Sequence, residues 1–150
     1  MSDFELGKSL GSLIRRTNVM MRVFINKAFS QNNIDISTER WGILNIVKAS
    51  PGITQNEIAL RCLKDKTNIT RLLNVLEKQG HIERRIDEND RRIYNIYITT
   101  CGQILLEQLI PLAIGVNKIA TKNLTTEEIE QLHKLLNKVQ NTLTEELWKL

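Results

Sequence analysis

The chain of 150 residues has only two cysteines and two histidines. Cys62 and Cys101 are far apart and outside any C-x-x-C arrangement, which indicates free thiols in a reducing compartment and no disulfide framework. His81 and His133 are isolated and have no clustered thiol or carboxylate partners at metal-ligand spacing. We therefore predict no metal site and no cofactor.

The sequence also lacks a long uninterrupted apolar run. Its longest apolar region, residues 104–116, contains Glu107, Gln108 and Pro111, whereas a membrane span requires about 20 consecutive apolar residues. Residues 1–8 have no basic stretch followed by an apolar core, so the sequence shows no secretory signal. We expect a cytoplasmic protein with no membrane partner.

No set of residues typical of an enzyme is present. We find no nucleophile, base and orienting acid in a recognisable arrangement, no glycine-rich phosphate loop after a strand and no paired carboxylates. The sequence contains no internal repeat, low-complexity tract or flexible linker. Its length and its composition, 41% hydrophobic and 25% charged, predict one folded domain, residues 1–150, that is not an enzyme.

Positive charge avoids the last third of the chain. The formal net charge is +4. Residues 61–92 contain nine basic and six acidic residues, a net charge of +3, whereas residues 121–150 contain four basic and five acidic residues, a net charge of −1. A moderate basic excess is compatible with phosphate contacts, but it is also common on solvated faces. Charge alone therefore does not identify the function.

Apolar residues that recur at three- and four-residue steps predict six helices. Side chains that can accept a backbone amide hydrogen bond mark where most of these helices begin. The predicted caps are Ser37 for the second helix, Thr54 with Glu57 for the third, Asp65 for the fourth, Thr99 or Thr100 with Gln103 for the fifth, and Thr125 with Glu128 for the sixth.

A β-hairpin is predicted between the fourth and fifth helices. Residues 82–85 and 93–98 form its strands, and the polar residues 86–92 join them. The element order is therefore α-α-α-α-β-β-α-α, a mostly α fold. Three helices followed by a hairpin are typical of a winged helix-turn-helix, here flanked by long N- and C-terminal helices.

The start of the fourth helix carries residues suited to a DNA major groove, which is about 12 Å wide and admits one α-helix. Asn68 can pair with adenine, and Arg71 can contact guanine or phosphate. Thr67 and Thr70 offer either a hydroxyl to phosphate or a methyl group to thymine. The predicted DNA contacts on this helix are Lys66, Thr67, Asn68, Thr70 and Arg71.

Two further segments are predicted to contact the DNA backbone or the minor groove. Thr54 and Gln55 lie at a helix N-terminus, where free amides favour a phosphate. In the hairpin, Asp90, Arg91 and Arg92 can place an arginine in the minor groove, with the carboxylate orienting a guanidinium. Other interpretations remain open: the polar face of the fourth helix is an ordinary exposed surface, or Arg84 and Arg85 form structural ion pairs with Asp87 or Asp90.

Residues 53–102 resemble the core of the multiple antibiotic resistance regulator (MarR) family. The family patterns are LTQxELA, DKxxxTRLLxxLEKxGxIER and the wing pattern DxRxxxxxLTxxG. Here the first two read ITQNEIA and DKTNITRLLNVLEKQGHIER. The wing pattern is matched by Asp90, Arg92, Thr99 and Gly102, with Ile98 in place of the leucine. The resemblance extends at lower specificity to both ends of the chain.

This resemblance implies a homodimeric, sequence-specific transcriptional regulator that binds a pseudo-palindromic site on double-stranded DNA. Residues 36–99 would form the DNA-binding lobe, and residues 1–35 and 100–150 the dimerisation helices. We expect a repressor that occludes polymerase. The alternatives are an activator that displaces another DNA-bound protein, and a helical interaction module without DNA binding.

The resemblance also implies a crevice for a small aromatic or phenolic effector. Arg16, Met20 and Trp41 are its candidate residues, an arginine for a carboxylate and apolar surface for a ring, although Met20 and Trp41 can equally be core residues. Some family members sense oxidants through a cysteine in the first helix. This chain has none there, so we interpret Cys62 and Cys101 as packing residues.

Overall fold

A computed structural model describes Gly7 and residues 9–149. Its helices are α1 (Leu10–Gln31), α2 (Thr38–Ala49), α3 (Gln55–Cys62), α4 (Lys66–Lys78), α5 (Thr100–Thr121) and α6 (Thr126–Leu147). The strands are β1 (Ile53–Thr54), β2 (Ile82–Ile86) and β3 (Tyr94–Ile98). Two compact units are distinguished, one up to Val116 and one from Asn117 onwards. The extent of the DNA-binding lobe, residues 36–99, remains a prediction.

The helix starts follow from the predicted caps. The Ser37 hydroxyl accepts the Arg40 amide, and the Asp65 carboxylate accepts the Asn68 amide at 2.8 Å. Thr54 with Glu57 and Thr125 with Glu128 each form the reciprocal capping box. The capping box predicted at the start of α5 forms only in part, and Gln103 is not its second member. Thr99 accepts the amide of Gly102, and glycine has no side chain to reciprocate.

The sheet has one strand more than the hairpin predicted from the sequence. β1 pairs antiparallel with β3, with Ile53 opposite Ile96, so the strand order is β1-β3-β2. The pairing of β2 with β3 runs from Ile82 opposite Ile98 to Ile86 opposite Tyr94. A two-residue strand is too short to produce an alternating pattern, and only its long-range partner defines it.

The core of the first unit is one cluster to which α1 to α5 and the sheet all contribute buried side chains. α4 buries four residues of one stripe, Ile69, Leu72, Leu73 and Leu76. The largest fully buried side chains elsewhere in the unit are Phe29, Ile43, Leu44, Val47, Ile58, Ile82, Ile96, Leu106 and Leu109. This packing holds α4 on the sheet with its opposite face exposed.

The end of α4 is joined to the start of α5 by close backbone contacts. The Thr99 amide donates to the His81 carbonyl at 3.1 Å, and the Thr99 hydroxyl donates to the Gly80 carbonyl at 2.5 Å. A Cβ atom at Gly102 would lie 2.2 Å from the His81 carbonyl oxygen. Only glycine therefore fits at this point of α5.

Three helices present apolar side chains to solvent. Leu10, Leu13, Val23 and Phe24 of α1 and Ile104, Ile110, Ile114 and Ile119 of α5 are all at least 40% exposed. α6, all of whose residues are described, buries none of them, and its Leu132, Leu135, Leu143 and Leu147 are exposed. Large exposed apolar faces of this kind mark interaction sites.

The length and composition of α5 would also allow it to cross a membrane, and among the described residues it alone meets these two criteria. Its mean hydropathy is thus high enough for a membrane span in spite of Glu107, Gln108 and Pro111. One such helix is weak evidence for a span, because helices of soluble proteins meet the same criteria.

Candidate DNA interface

The turn between α3 and α4 sets the direction of α4. Leu63 ends α3 in the left-handed conformation with φ of 51°, and the Lys64 amide donates to the Ala59 carbonyl at 3.1 Å. Asp65 then caps α4. Three residues thus separate the two helices, which is the short turn of a helix-turn-helix.

The exposed face of α4 brings together the side chains predicted to contact DNA. Lys66, Thr67 and Arg71 are exposed, whereas Asn68 and Thr70 are half-buried. Arg71 Nη2 donates to Asn68 Oδ1 at 3.2 Å, which aligns two of the predicted base-contacting groups. This face is opposite the buried stripe, so it can approach DNA without disturbing the core.

Gln55 and Thr70 are in contact, although 15 positions separate them in the sequence. Gln55 Nε2 lies 2.5 Å from Thr70 Oγ1, and the same oxygen lies 2.7 Å from the Lys66 carbonyl oxygen. The first residue of α3 therefore joins the polar face of α4. Sequence reasoning proposed both residues as DNA contacts but did not anticipate that they touch.

Thr54 is already engaged by the capping box. Its amide and its hydroxyl both donate to Glu57 Oε2, at 2.8 and 2.7 Å. These two donations from Thr54 hold the pKa of the Glu57 carboxyl below its usual range, so this position carries a negative charge near neutral pH. A phosphate at the start of α3 would compete with that carboxylate for Thr54.

Asp87, which sequence reasoning considered only as an ion-pair partner, organises the turn between β2 and β3. Asp87 Oδ1 accepts the amides of Asn89 and Asp90 at 2.8 and 3.0 Å, and Asp87 Oδ2 accepts Asn95 Nδ2 at 2.9 Å. These bonds, that from Asn95 foremost, lower the pKa of the Asp87 carboxyl. The signal available in the sequence was an aspartate two residues before Asn89, as in an Asx turn.

At the tip of this hairpin, which we call the wing (residues 82–98), Asp90 holds Arg92 in a two-point contact. Arg92 Nε lies 3.0 Å from Asp90 Oδ1 and Arg92 Nη2 lies 2.9 Å from Oδ2. The hydrogen bonds from Arg92 lower the pKa of the Asp90 carboxyl. Since the Arg92 side chain is 89% exposed, the guanidinium is oriented and accessible, as the sequence suggested.

Arg84 and Arg85 do form structural ion pairs, but not with Asp87 or Asp90, the partners considered from the sequence. Arg84 pairs with Glu77 of α4 and donates to Asn74 Oδ1 at 2.9 Å. Arg85 pairs with Glu83 and lies over the Tyr97 ring, 4.4 Å from its centroid. Successive side chains of a strand lie on opposite faces, and Asp87 and Asp90 are occupied within the turn. Both arginines therefore pair with partners outside the turn.

The sequence is related over most of its length to a regulator of known name. It is 32% identical to the multiple antibiotic resistance protein MarR of Escherichia coli (strain K12) over 132 residues, which cover 87% of this chain and 90% of that protein. A family model described as MarR family matches residues 34–93. The chain belongs to the MarR family.

One further relative and one solved structure bear on the role of this MarR-family chain. A transcriptional repressor, MprA of Escherichia coli (strain K12), is 32% identical over 91 residues, 61% of this chain and 52% of that protein. A crystal structure of a cysteine-to-serine mutant of E. coli MarR complexed with operator DNA matches with a TM-score of 0.81 and 30% identity. The match covers 90% of this chain and 98% of the chain in that crystal structure. The winged helix-turn-helix fold and the role of transcriptional regulator are thereby established.

The residues proposed for an effector lie in different environments in this MarR-family chain. Arg16 and Met20 are exposed on α1. Trp41 is half-buried, and its ring meets Phe29 edge to face, with ring centroids 5.7 Å apart. Trp41 Nε1 is buried and has no hydrogen-bond partner among the described residues. The contact with Phe29 shows that the Trp41 ring packs against the protein core. A role of Arg16, Met20 and Trp41 in binding an effector stays a prediction.

The two cysteines differ in environment. Cys101 is exposed, whereas Cys62 is half-buried, and this burial raises the pKa of its thiol. The thiolate is the reactive form, so Cys62 is a poor nucleophile near neutral pH. Within the described part of the chain, no group of three or more histidine, cysteine or acidic residues is placed to hold a metal ion.

Proposed function

We propose that this MarR-family regulator is a repressor that binds a pseudo-palindromic promoter site as a homodimer. The observation that carries the proposal is the polar face of α4, which the buried stripe behind it holds in place, together with the oriented Arg92 of the wing. In each protomer α4 enters a major groove and Arg92 enters the neighbouring minor groove. Bound at a promoter in the cytoplasm, the dimer would exclude polymerase.

The apolar faces of α1, α5 and α6 support the homodimer. Their side chains lie at helical spacing and are exposed in the single chain. A second copy of the chain would cover them, and a two-fold axis would then place two α4 helices about one DNA turn, roughly 34 Å, apart. The pseudo-palindromic form of the site follows from that symmetry.

Selection of bound duplexes from a random DNA pool tests the proposal directly. We expect the selected sequences to share two inverted half-sites one helical turn apart, and their retardation in a gel to weaken steeply as salt is raised. A reporter gene carrying the selected site should be transcribed less when the protein is present. A monomer that selects no sequence would contradict the proposal.

Arg92→Ala should weaken binding to the selected site by about 1 to 3 kcal/mol if the guanidinium reads the minor groove. Lys134→Ala, which removes the same charge from the exposed surface of α6, is the matched control and should have little effect. Equal losses in the two variants would show that Arg92 acts through net charge alone.

We further propose that an aromatic acid or phenol weakens operator binding through Arg16, Met20 and Trp41. Benzoate is a suitable probe because it combines a carboxylate for Arg16 with a ring for the apolar residues. In a Trp148→Phe background, Trp41 is the remaining tryptophan, so its fluorescence should change as benzoate is added. Arg16→Gln should raise the benzoate concentration required. Unchanged fluorescence and operator affinity at every concentration would contradict this part.

A further inference from the structure

The hydroxyl group of Thr70 makes two hydrogen bonds within the protein. Its oxygen lies 2.7 Å from the Lys66 carbonyl oxygen and 2.5 Å from Gln55 Nε2. Thr70 lies on the polar face of α4 with Thr67, Arg71 and Asn74, and these residues line one concave surface. The hydroxyl is therefore part of an internal chain that runs from α3 to the backbone of α4.

The single proton of that hydroxyl is committed to the Lys66 carbonyl. A carbonyl oxygen can only accept, so at this distance the hydroxyl must donate to it. Thr70 Oγ1 is then an acceptor toward Gln55, which means that the amide of Gln55 presents its NH2 group to Thr70. The side-chain carbonyl oxygen of Gln55, Oε1, is left without a partner in this chain of bonds.

This arrangement decides between the two DNA roles considered for Thr70. Phosphate oxygens only accept hydrogen bonds, and Thr70 has no proton left to donate. Its γ-methyl group is the part of the side chain that no hydrogen bond uses. Gln55 presents an oriented acceptor, Oε1, which a base amino group can satisfy, and the second proton of its NH2 group remains a donor.

We propose that Thr70 and Gln55 together read one A·T base pair in the major groove. The Thr70 methyl group packs on the C5-methyl group of thymine, and Gln55 Oε1 accepts from the exocyclic amino group of adenine. An A·T pair carries both groups on its major-groove edge. Gln55 is thus a specificity-determining residue that also positions Thr70. The inference rests on the proposed function, because it assigns a base to the same surface.

The first test alters the DNA and leaves the protein unchanged. In a duplex selected from the random pool, each thymine is replaced in turn by uracil, which lacks the C5-methyl group. We expect one position in each half-site to lower affinity about fourfold, the value for one buried methyl-sized group. Replacing the paired adenine by purine deoxyriboside, which lacks the amino group, should lower affinity about two- to twelvefold, the range for one hydrogen bond.

Two substitutions at Thr70 separate its methyl group from its hydroxyl group. Thr70→Ser removes the methyl group, so its affinity should be the same for thymine and uracil at the identified position. Thr70→Val keeps the methyl group and removes the hydroxyl. It should retain the preference for thymine and the salt dependence of the unaltered protein. Gln55→Met, which has no acceptor oxygen, should no longer distinguish adenine from purine deoxyriboside.

The outcomes distinguish this inference from the proposed function. If the unaltered protein selects a palindromic site in which no replacement of thymine by uracil lowers the affinity, the proposed reading of an A·T pair by Thr70 and Gln55 is wrong. The proposed function as a DNA-binding regulator is then unaffected. If Thr70→Val bound the thymine and uracil duplexes equally weakly, the hydroxyl group rather than the methyl group would be the contacting group, as in a phosphate contact, and the pair would also be overturned. If the unaltered protein selects no site, both proposals fail.

Discussion

The DNA-binding region and the terminal helices use the same apolar periodicity with opposite results. α4 buries four side chains of its stripe, and all four are at most 4% exposed. α6 has an equally regular stripe, yet it buries none of its residues, and Leu135 is 51% exposed. Periodicity therefore specifies which face of a helix is apolar but not what covers that face. The DNA-binding region supplies its own cover, whereas the stripe of α6 stays exposed in the single chain, and we propose that a second chain covers it.

The largest expected effect comes from placing a charge on the exposed stripe of α6. At the proposed two-fold interface Leu135→Asp would bury two carboxylates, so we expect the proposed dimer to dissociate and operator affinity to fall by more than about 100-fold. Sedimentation equilibrium measures the assembly and a filter-binding assay the affinity. Lys134→Asp, one position away, is the control and should stay dimeric. If the Leu135→Asp protein stayed dimeric, the dimer interface would not include this part of α6.

A truncation inside the DNA-binding region should act on folding instead. Leu73 is fully buried, so Leu73→Ala should lower the free energy of unfolding by about 2 to 5 kcal/mol through lost burial and the cavity that remains. Leu60→Ala removes a leucine that is 63% exposed and should change stability by less than about 0.5 kcal/mol. Urea denaturation at one fixed protein concentration compares the two. Similar losses in both variants would mean that Leu60 is covered in solution.

The two capping boxes allow the same change to be made in each region. Thr54→Ala and Thr125→Ala each remove a hydroxyl that accepts the amide of a glutamate three residues later. Each should reduce the free energy of unfolding by about 1 kcal/mol, as for other N-caps, and the corresponding serine variants should not. Thermal unfolding is the measurement. A loss at Thr54 alone would show that α6 contributes little to the cooperative fold.

The smallest expected effect is a gain in stability at the turn before α4. Leu63 is in the left-handed conformation, with φ of 51°, and is 79% exposed. Leu63→Gly relieves the backbone strain at the expense of a more flexible unfolded chain, so we expect a gain of about 0.5 kcal/mol. Asn33, with φ of 58°, is the comparison, since asparagine tolerates this conformation and Asn33→Gly should gain less. A loss of stability in Leu63→Gly would mean that the leucine side chain makes a stabilising contact.

The sequence was sufficient for features that depend on residues within one turn of each other. The caps at Ser37, Thr54, Asp65 and Thr125 are local, and the positions of the helices follow from them. The fold was also predicted from the order of elements and from the resemblance to the MarR family, and the comparisons confirm it. The orientation of Arg92 by Asp90, two residues away, belongs to the same class.

Features that depend on distant residues could not be read from the sequence. β1 exists only because β3 pairs with it across more than 40 positions. Arg84 contacts Asn74 because β2 packs on α4, and no local pattern indicates that partner. The contact of Gln55 with Thr70 likewise needs the angle between α3 and α4. In each case several partners of suitable chemistry were available, and tertiary packing selected one.

The bonds from Thr99 to Gly80 and His81, together with the missing side chain at Gly102, have a mechanical consequence. They hold Gly80 and His81, which follow the end of α4, directly against the first turn of α5. The first turn of α5 is thereby fastened to the segment that joins α4 to β2. A displacement of one of these two segments therefore requires the other to move with it or these contacts to break.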